Sequence, residues 1–519
     1  MAFLSVALCA LVIYYIVKRV YREYTSPIRY LPGPPSKSLI FGNLNEIFSA
    51  ENSVMHEKWV EEYGPTIRYH GFLGQSRFYT TDVKATQHVL MNHYEYQKPG
   101  VMRTLLVDVF GDGLLNTEGD RHKFQNPAFG PAQIRQLTAV FVEKANELRD
   151  AWKGQIERAE GTARIEVLSW LSKMTLDVIG RAGFNYEFNA IASTDDNQNE
   201  LNQAFTTIFS QSSNLGLWST LRAHIPALRV FPNVRDGVIR TARGTMHRIG
   251  EQLLKDSKRT LAAQDEKTVA GRDLLTLLVK SNMNEKQAQQ MTDEDVLAQV
   301  PTFLIAGHET TSTATTWALY ALVQRPAILR KLREELLSVP TDTPTMDQLN
   351  ELPYLDAVVR ETLRVHPPVP STTREATQDG VLPLSEPVNG KDYVHVRKGQ
   401  AIFISILALN RSKKLWGEDA AEFNPDRWVN GRVDTSLPGV WGNMMTFLGG
   451  ARSCIGFRFA LVEMKALMFS LIRTFDFELA VPLENISKKS SIVQRPYVKS
   501  EEEKGGQLPL LIKVYNPDD

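Results

Sequence analysis

The 519-residue chain reads as mainly α with minor β: a single large helical domain with small β-sheets behind an N-terminal transmembrane helix. Three observations predict this. Apolar residues recur at helical spacing over long stretches, while only Thr66 to Tyr69 and Arg77 to Thr81 read as strands. No Gly/Ser-rich or Pro-rich linker and no internal repeat divides the chain after residue 35, although length alone would suggest about three domains. Met1 to Val17 carries no charged side chain.

Composition narrows the class of function. At 43% hydrophobic and 23% charged residues there is ample apolar surface for a large core, which excludes global disorder. Lys+Arg and Asp+Glu both number 59, so no net field draws the chain to phosphate backbones, and nucleic acid is not an expected partner. The two cysteines, Cys9 and Cys454, form neither a disulfide framework nor a C-x-x-C metal site.

In chain order, the run 1–17 is about the shortest able to cross a bilayer core at a rise of about 1.5 Å per residue. Lys18, Arg19 and Arg22 follow it. A cleaved secretory signal places its charge before the apolar run and small residues after it, so an uncleaved anchor is the better reading. Positive charge on the C-terminal flank orients the body to the cytosol. Residues 18–35 form a basic and Pro-rich hinge, stiffened by Leu31-Pro-Gly-Pro-Pro35, and the body occupies 36–519. Helical patterns are expected at Ile134 to Glu157, Val167 to Gly183, Glu200 to Phe209, Asp273 to Val279, Asp293 to Val323, Ala327 to Val339, Tyr354 to Val365 and Arg458 to Thr474. Polar breaks at Ser193 to Asn199, Ala262 to Gly271 and Ser500 to Gly506 read as surface loops.

The most informative stretch is Phe447-Leu-Gly-Gly450-Ala-Arg452-Ser-Cys454-Ile-Gly456, directly before a helical pattern. A cysteine at the mouth of a helix has its thiolate favoured by free backbone N–H groups, which suits an anionic ligand. Gly450 and Gly456 permit close approach of a flat cofactor, and Arg452 could pair with an acidic substituent on it. A chance match to F-x-x-G-x-R-x-C-x-G is on the order of 10⁻⁴. This segment resembles the haem-binding loop of the cytochrome P-450 haem-thiolate monooxygenases. The resemblance implies haem b (iron protoporphyrin) with Cys454 as its axial iron ligand, whose negative charge favours O–O cleavage.

Other segments resemble the same family in the same order. Ala306-Gly307-His308-Glu309-Thr310-Thr311 lies within the long pattern from Asp293 and resembles the oxygen-activating helix. Small residues there would let the helix pass close to a cofactor face. The resemblance implies Thr310 as the alcohol that hydrogen-bonds bound dioxygen, Glu309 as its neighbouring acid and Ala306 as a cofactor contact. His308 reads as a packing residue, not a ligand, and Pro301 predicts a local distortion of the helix. Glu361-Thr-Leu-Arg364 places an acid and a guanidinium on one helical face. With Arg427 of Phe423-Asn-Pro-Asp-Arg427-Trp428 it resembles the family's buried Glu–Arg–Arg cluster, a structural trio. Arg374, by itself a surface arginine, stands where the family places a haem-propionate partner.

One segment departs from the family. Gly119 to Phe129 resembles a third-helix stretch in which an aromatic or His, here His122, is followed four residues later by an arginine near a haem propionate. Asn126 occupies that place, and the spacing to Pro127 is about one helical turn short. Either Arg121 or Lys123 substitutes, or one propionate loses a partner and the surface that receives the electron donor is altered.

The fold implied is that of a cytochrome P-450, and the activity is hydroxylation: one atom of O₂ inserted into an apolar organic substrate. Tyr96 to Asn116, Phe205 to Ile225 with Trp218, Phe303, Leu304 and Val369-Pro370 supply the apolar lining, which leaves substrate class and regiochemistry open. The chain holds no flavin or nicotinamide module, so electrons are expected from NADPH through a separate NADPH-cytochrome P-450 reductase. The style resembles microsomal, fungal members, implying a single-pass endoplasmic reticulum protein with a cytosolic catalytic domain, in secondary metabolism. The alternative of a different class is a non-catalytic or defective haem-binding membrane protein, favoured by the shortened 119–129 segment. A haem-thiolate isomerase is expected to lack the Glu309-Thr310 pair, and a hydrolase would need a G-x-S-x-G elbow that the chain does not have.

Overall fold

The computed structural model describes residues 14, 17–119, 129–193, 200–201, 203–204, 222, 231, 234–262, 273–284, 290–431, 436–489 and 492–517. The sequence predicts one body; by its internal contacts the chain divides into two compact units. The first comprises Met1–Pro99, Pro370–Gly417 and Thr435–Ser453, and the second Gly100–Val369, Glu418–Asp434 and Cys454–Asp519.

The first unit is built on a five-stranded sheet in the order Thr66–His70, Ser76–Thr80, Ala401–Ser405, Ser371–Ala376, Tyr96–Gln97. The two strands legible in the sequence form its antiparallel edge pair, Thr66 opposite Thr80. Ser76–Thr80 then pairs in parallel with Ala401–Ser405, Phe78 opposite Ile402. Packed on it are Trp59, Ile67, Tyr69 and Tyr79, with Phe403 partly buried against them. The His56 ring stacks on Tyr79 and on Phe403, each at 4.9 Å between centroids. Burial pulls its imidazole down to about 4, because a charge there would be stripped of water. The helix Val83–Met91 starts where the Asp82 carboxylate accepts from the Ala85 N–H at 2.9 Å, a cap worth about 1 kcal/mol.

The basic hinge is pinned to this unit by hydrogen bonds. Residues 17–24 are helical. The Arg19 guanidinium donates to the carbonyls of Leu73 and Phe72, and the Arg68 N–H donates to Pro32 at 2.8 Å. Among the described residues no helix is long and apolar enough to cross a membrane. The expected anchor, Cys9 included, lies outside the described residues except for Tyr14 and Val17, both exposed.

The second unit is helical, and the helices fall close to the periodicities: Pro131–Arg158, Val167–Phe184, Leu274–Asn284, Pro326–Leu337, Pro353–Val365 and Phe457–Thr474. Proline opens Pro131–Arg158, Pro326–Leu337 and Pro353–Val365, where its missing N–H costs nothing. Glu166 caps Val167–Phe184 by accepting from the N–H groups of Leu168 and Ser169. The pattern from Asp293 is two helices, Asp293–Leu297 and Gln299–Val323. The break at Ala298 matches the distortion Pro301 predicts, since proline removes the N–H that would bond the Leu297 carbonyl. Gln299–Val323 is buried nearly all round, the mark of a central helix. Its approach to Val167–Phe184 is set by Gly307, where a β-carbon would lie 2.9 Å from the Ile179 side chain. A three-stranded sheet, Ala163–Glu166, Pro509–Val514 and Phe475–Leu479, completes this core.

Candidate active site

The Phe447–Gly456 loop belongs by its first part to the first unit and by its last to the second. Phe447 is half-buried, its ring edge-on to Trp441 at 5.8 Å. Two successive glycines answer to backbone: a β-carbon on Gly449 would strike the Pro438 carbonyl oxygen, and one on Gly450, at φ +70°, would lie 2.5 Å from that of Leu90. At Gly450 the tight approach is therefore demanded by the Val83–Met91 helix. At Gly456 the nearest atom to a β-carbon is the Phe129 ring at 3.8 Å, so there the protein leaves room. Arg452 closes the 3₁₀ turn Gly450–Arg452 as a buried side chain. Arg374 is also buried, on Ser371–Ala376, and donates to the Thr372 hydroxyl at 2.6 Å and the Thr373 carbonyl at 3.0 Å. A sequence reading without the family would leave it at the surface.

Cys454 stands just before the helix Phe457–Thr474, whose N-cap is Gly456. Its side chain is open at its own surface, yet protein surrounds it at longer range. That surround pushes the thiol up to about 11 against a hydrogen bond from Gly456, so the helix mouth alone does not make the thiolate. A bound cation would. Among the described residues no group of three or more His, Cys, Asp or Glu is arranged to hold a metal ion.

The Gln299–Val323 helix, in the same unit, is buried at Thr302–Ile305, His308 and Thr311–Leu319 but half-open at Ala306, Gly307, Glu309 and Thr310. Gly307 serves helix packing, which leaves Ala306 as the small residue of the opening. Thr310 turns its hydroxyl back to the Ala306 carbonyl at 2.8 Å. Glu309 is clamped: the Arg495 guanidinium donates to one oxygen, and His308 Nε2 lies 3.4 Å from the other. Burial pushes its carboxyl up, but the His308 hydrogen bond and charge and the Arg495 ion pair outweigh it and hold it at about 2. His308 is the packing residue expected, buried, with Nδ1 2.8 Å from the Leu304 carbonyl. Phe303 and Leu304, expected beside substrate, are core side chains, Phe303 edge-on to Phe129 at 5.5 Å.

In the second unit Glu361, Arg364 and Arg427 come together as expected. Glu361 accepts from Arg364 at 2.7 and 2.9 Å, from Arg427 at 3.1 Å, from Trp428 Nε1 at 2.9 Å and from the Asn424 N–H at 2.8 Å. Arg427 also binds Asp419 at 2.9 Å, and Arg364 the carbonyls of Ala420 and Glu422. Sequence reading missed Arg495, for which no local signal exists, and Glu463, which had one: it lies four residues after Phe459 and three before Ala466, an acid on an apolar helix face. His122 with Asn126, Phe205 to Phe209, Trp218 and the rest of the 205–225 stretch except Arg222 lie outside the described residues.

The family model described as Cytochrome P450 matches residues 32–499. The chain is 54% identical to cytochrome P450 monooxygenase 205 of Postia placenta, covering 99% of this chain and 98% of that one. That alignment runs over 532 positions, longer than the chain itself, so the relative carries residues with no counterpart here. Identity is 36% to a cytochrome P450 monooxygenase of Ampulloclitocybe clavipes, over 95% of this chain and 94% of the relative. It is 35% to a ganoderic acid synthetase of Ganoderma lucidum, over 90% and 91%.

Proposed function

We propose, from the premise that this chain belongs to the cytochrome P450 family and is a monooxygenase of it, that it hydroxylates an apolar organic substrate in secondary metabolism with electrons from an NADPH-dependent reductase. The observation that carries the reading is Cys454, open at the start of Phe457–Thr474, in one unit with the opening of Gln299–Val323 at Ala306 and Thr310. Haem b, when bound, supplies the redox chemistry that activates O₂. Cys454 would hold the iron, with Arg452 and Arg374 for the propionates. Phe447, Gly450, Gly456 and Ala306 would shape the cofactor's surroundings, and His122 would add a polar contact. Thr310, released from the Ala306 carbonyl, offers a hydroxyl to oxygen, while Glu309 exchanges protons only when Arg495 lets go. The apolar core behind Phe303 and Leu304 excludes water.

Residues 1–17 are assigned to a single-pass anchor in the endoplasmic reticulum membrane, with the body cytosolic. Secondary metabolism is supported by the relatives, one of which is named for ganoderic acid synthesis. A second reading, a defective haem-binding membrane protein, is favoured by the short 119–129 segment.

The carbon-monoxide difference spectrum of the reduced protein in membranes separates the two. A red-shifted Soret band is expected, and Cys454→Ala should abolish it; a band that survives that substitution removes Cys454 as the ligand. Loss of the band in the unaltered protein establishes the second reading.

A further inference from the structure

Arg103 is the one basic residue of the helix Gly100–Phe110, set among Val101, Met102, Leu105, Leu106 and Val107. It is half-buried, and its Nε is sheltered from solvent without a hydrogen-bond acceptor. Arg243, on the helix Val234–Ala262, repeats the pattern: half-buried, its Nε sheltered and without an acceptor, one terminal nitrogen donating to the Val107 carbonyl. Val107 follows Arg103 by one helical turn, so the two guanidiniums address the same face of Gly100–Phe110. Among the described residues neither has a carboxylate partner. The acids close by in sequence are engaged elsewhere: Asp236 accepts from Arg222 at 2.8 and 3.0 Å, and Asp112 from Asn116 at 2.6 Å.

Both helices border the start of Gln299–Val323. Just beyond Gly100–Phe110 the Leu114 N–H donates to the Gln299 side chain at 2.8 Å, and a β-carbon on Gly113 would strike the Thr302 hydroxyl. On the other side a β-carbon on Gly250 would lie 3.4 Å from the Leu297 side chain. From Thr302 to Thr310 the helix rises about 12 Å, so a molecule with its head at the arginines reaches the Thr310 opening with a body of about that length. A guanidinium that gives up water at Nε and gains no acceptor is left short of a bond, and two cations on one face repel each other. An anion between them removes both costs, and a planar carboxylate matches the guanidinium fork best.

We propose that Arg103 and Arg243 bind the carboxylate of the substrate, which makes the substrate class an apolar organic acid hydroxylated at a carbon remote from its carboxyl group. The proposal rests on the reading above that the Thr310 opening is where the substrate reacts. It adds no chemical step: the arginines fix which end of the molecule is held, and so which end lies at Thr310. A neutral analogue of the same shape leaves both cations unpaired and is rejected for that reason.

The test is equilibrium dialysis of the full chain in lipid nanodiscs at pH 7.5, corrected with empty discs. The probes are radiolabelled dodecanoate, hexadecanoate and a tricyclic resin acid, each beside its own primary amide. At least one acid should bind roughly tenfold more tightly than its amide. Arg103→Gln should weaken that acid about tenfold and leave the amide where it was, and Arg103→Lys, which keeps the charge but not the fork, should recover part of the loss. Arg243→Gln should act in the same direction, and Arg103→Gln carries the test alone if that variant does not fold. Equal binding of every acid and its amide, or a preference that survives both glutamine substitutions, overturns the proposal. Binding is read without reductase or O₂, so the two readings fail separately. A missing carbon-monoxide band in the unaltered protein sinks the proposed function, whereas a normal band beside an absent preference sinks only the acid site.

Discussion

Glu361 and Glu309 are acids on helices of the second unit, the first fully buried and the second half-buried, and they differ in how firmly they are held. Glu361 accepts five hydrogen bonds from four residues, so its two oxygens have no other arrangement open to them. Glu309 is held by one guanidinium and one imidazole, and the Thr310 hydroxyl beside it is parked on its own helix. The first region is over-determined and can only support; the second holds its groups by few contacts, each of which can be exchanged for another. A site that must move protons needs the second kind of bonding, and a core that must keep its place needs the first.

That contrast can be broken most forcefully at Arg364. Arg364→Ala strips two hydrogen bonds from a carboxylate that stays buried, and should cost about 3–5 kcal/mol in urea unfolding. An equal loss in Arg495→Ala would erase the difference between the regions. Thr310→Ala comes next: haem content should hold while product or water formation gives way to peroxide, on the order of tenfold by stoichiometry against NADPH. Unchanged coupling would take Thr310 out of proton delivery.

A third test sharpens the comparison through pH. Glu309 sits at about 2 instead of 4.5, so its clamp contributes stability that is complete above pH 4.5 and is lost as pH falls toward 2. Arg495→Gln should let the carboxyl rise. The acid loss of stability in that window should shrink, and the acid limb of NADPH oxidation should move to higher pH. The smallest effect is expected in the first unit. His56 is held neutral, at about 4 against 6.5, so the unfolded chain binds the extra proton and stability falls as pH drops from 6.5 toward 4. His56→Phe keeps the ring stack and should remove a loss of about 2 kcal/mol at pH 5, read from urea midpoints. A parallel pH slope in both proteins would place the titration elsewhere.

What the sequence could tell followed range. Helices were legible because their signals are local: the 3.6-residue period, proline at the first turn, the Pro301 break. Most strands were not, because Ser371–Ala376 and Ala401–Ser405 are short and defined by partners distant in the chain. The Glu361 trio was legible through the family resemblance alone, since nothing local ties Arg427 to Glu361. Arg374 misleads by composition, an arginine read as surface that the sheet buries. Gly307 and Gly450 were recognised as close-approach positions, but their neighbours are Ile179 and Leu90, which spacing cannot reveal.

The parallel pairing of Ser76–Thr80 with Ala401–Ser405 has a consequence for synthesis. At about 5–20 residues per second, tens of seconds separate the emergence of Phe78 from that of Ile402 on the ribosome. Through that interval the hairpin from Thr66 to Thr80 has a free edge able to accept another strand, the arrangement that invites aggregation. The nascent chain must therefore be shielded at this edge until residue 405 has been made.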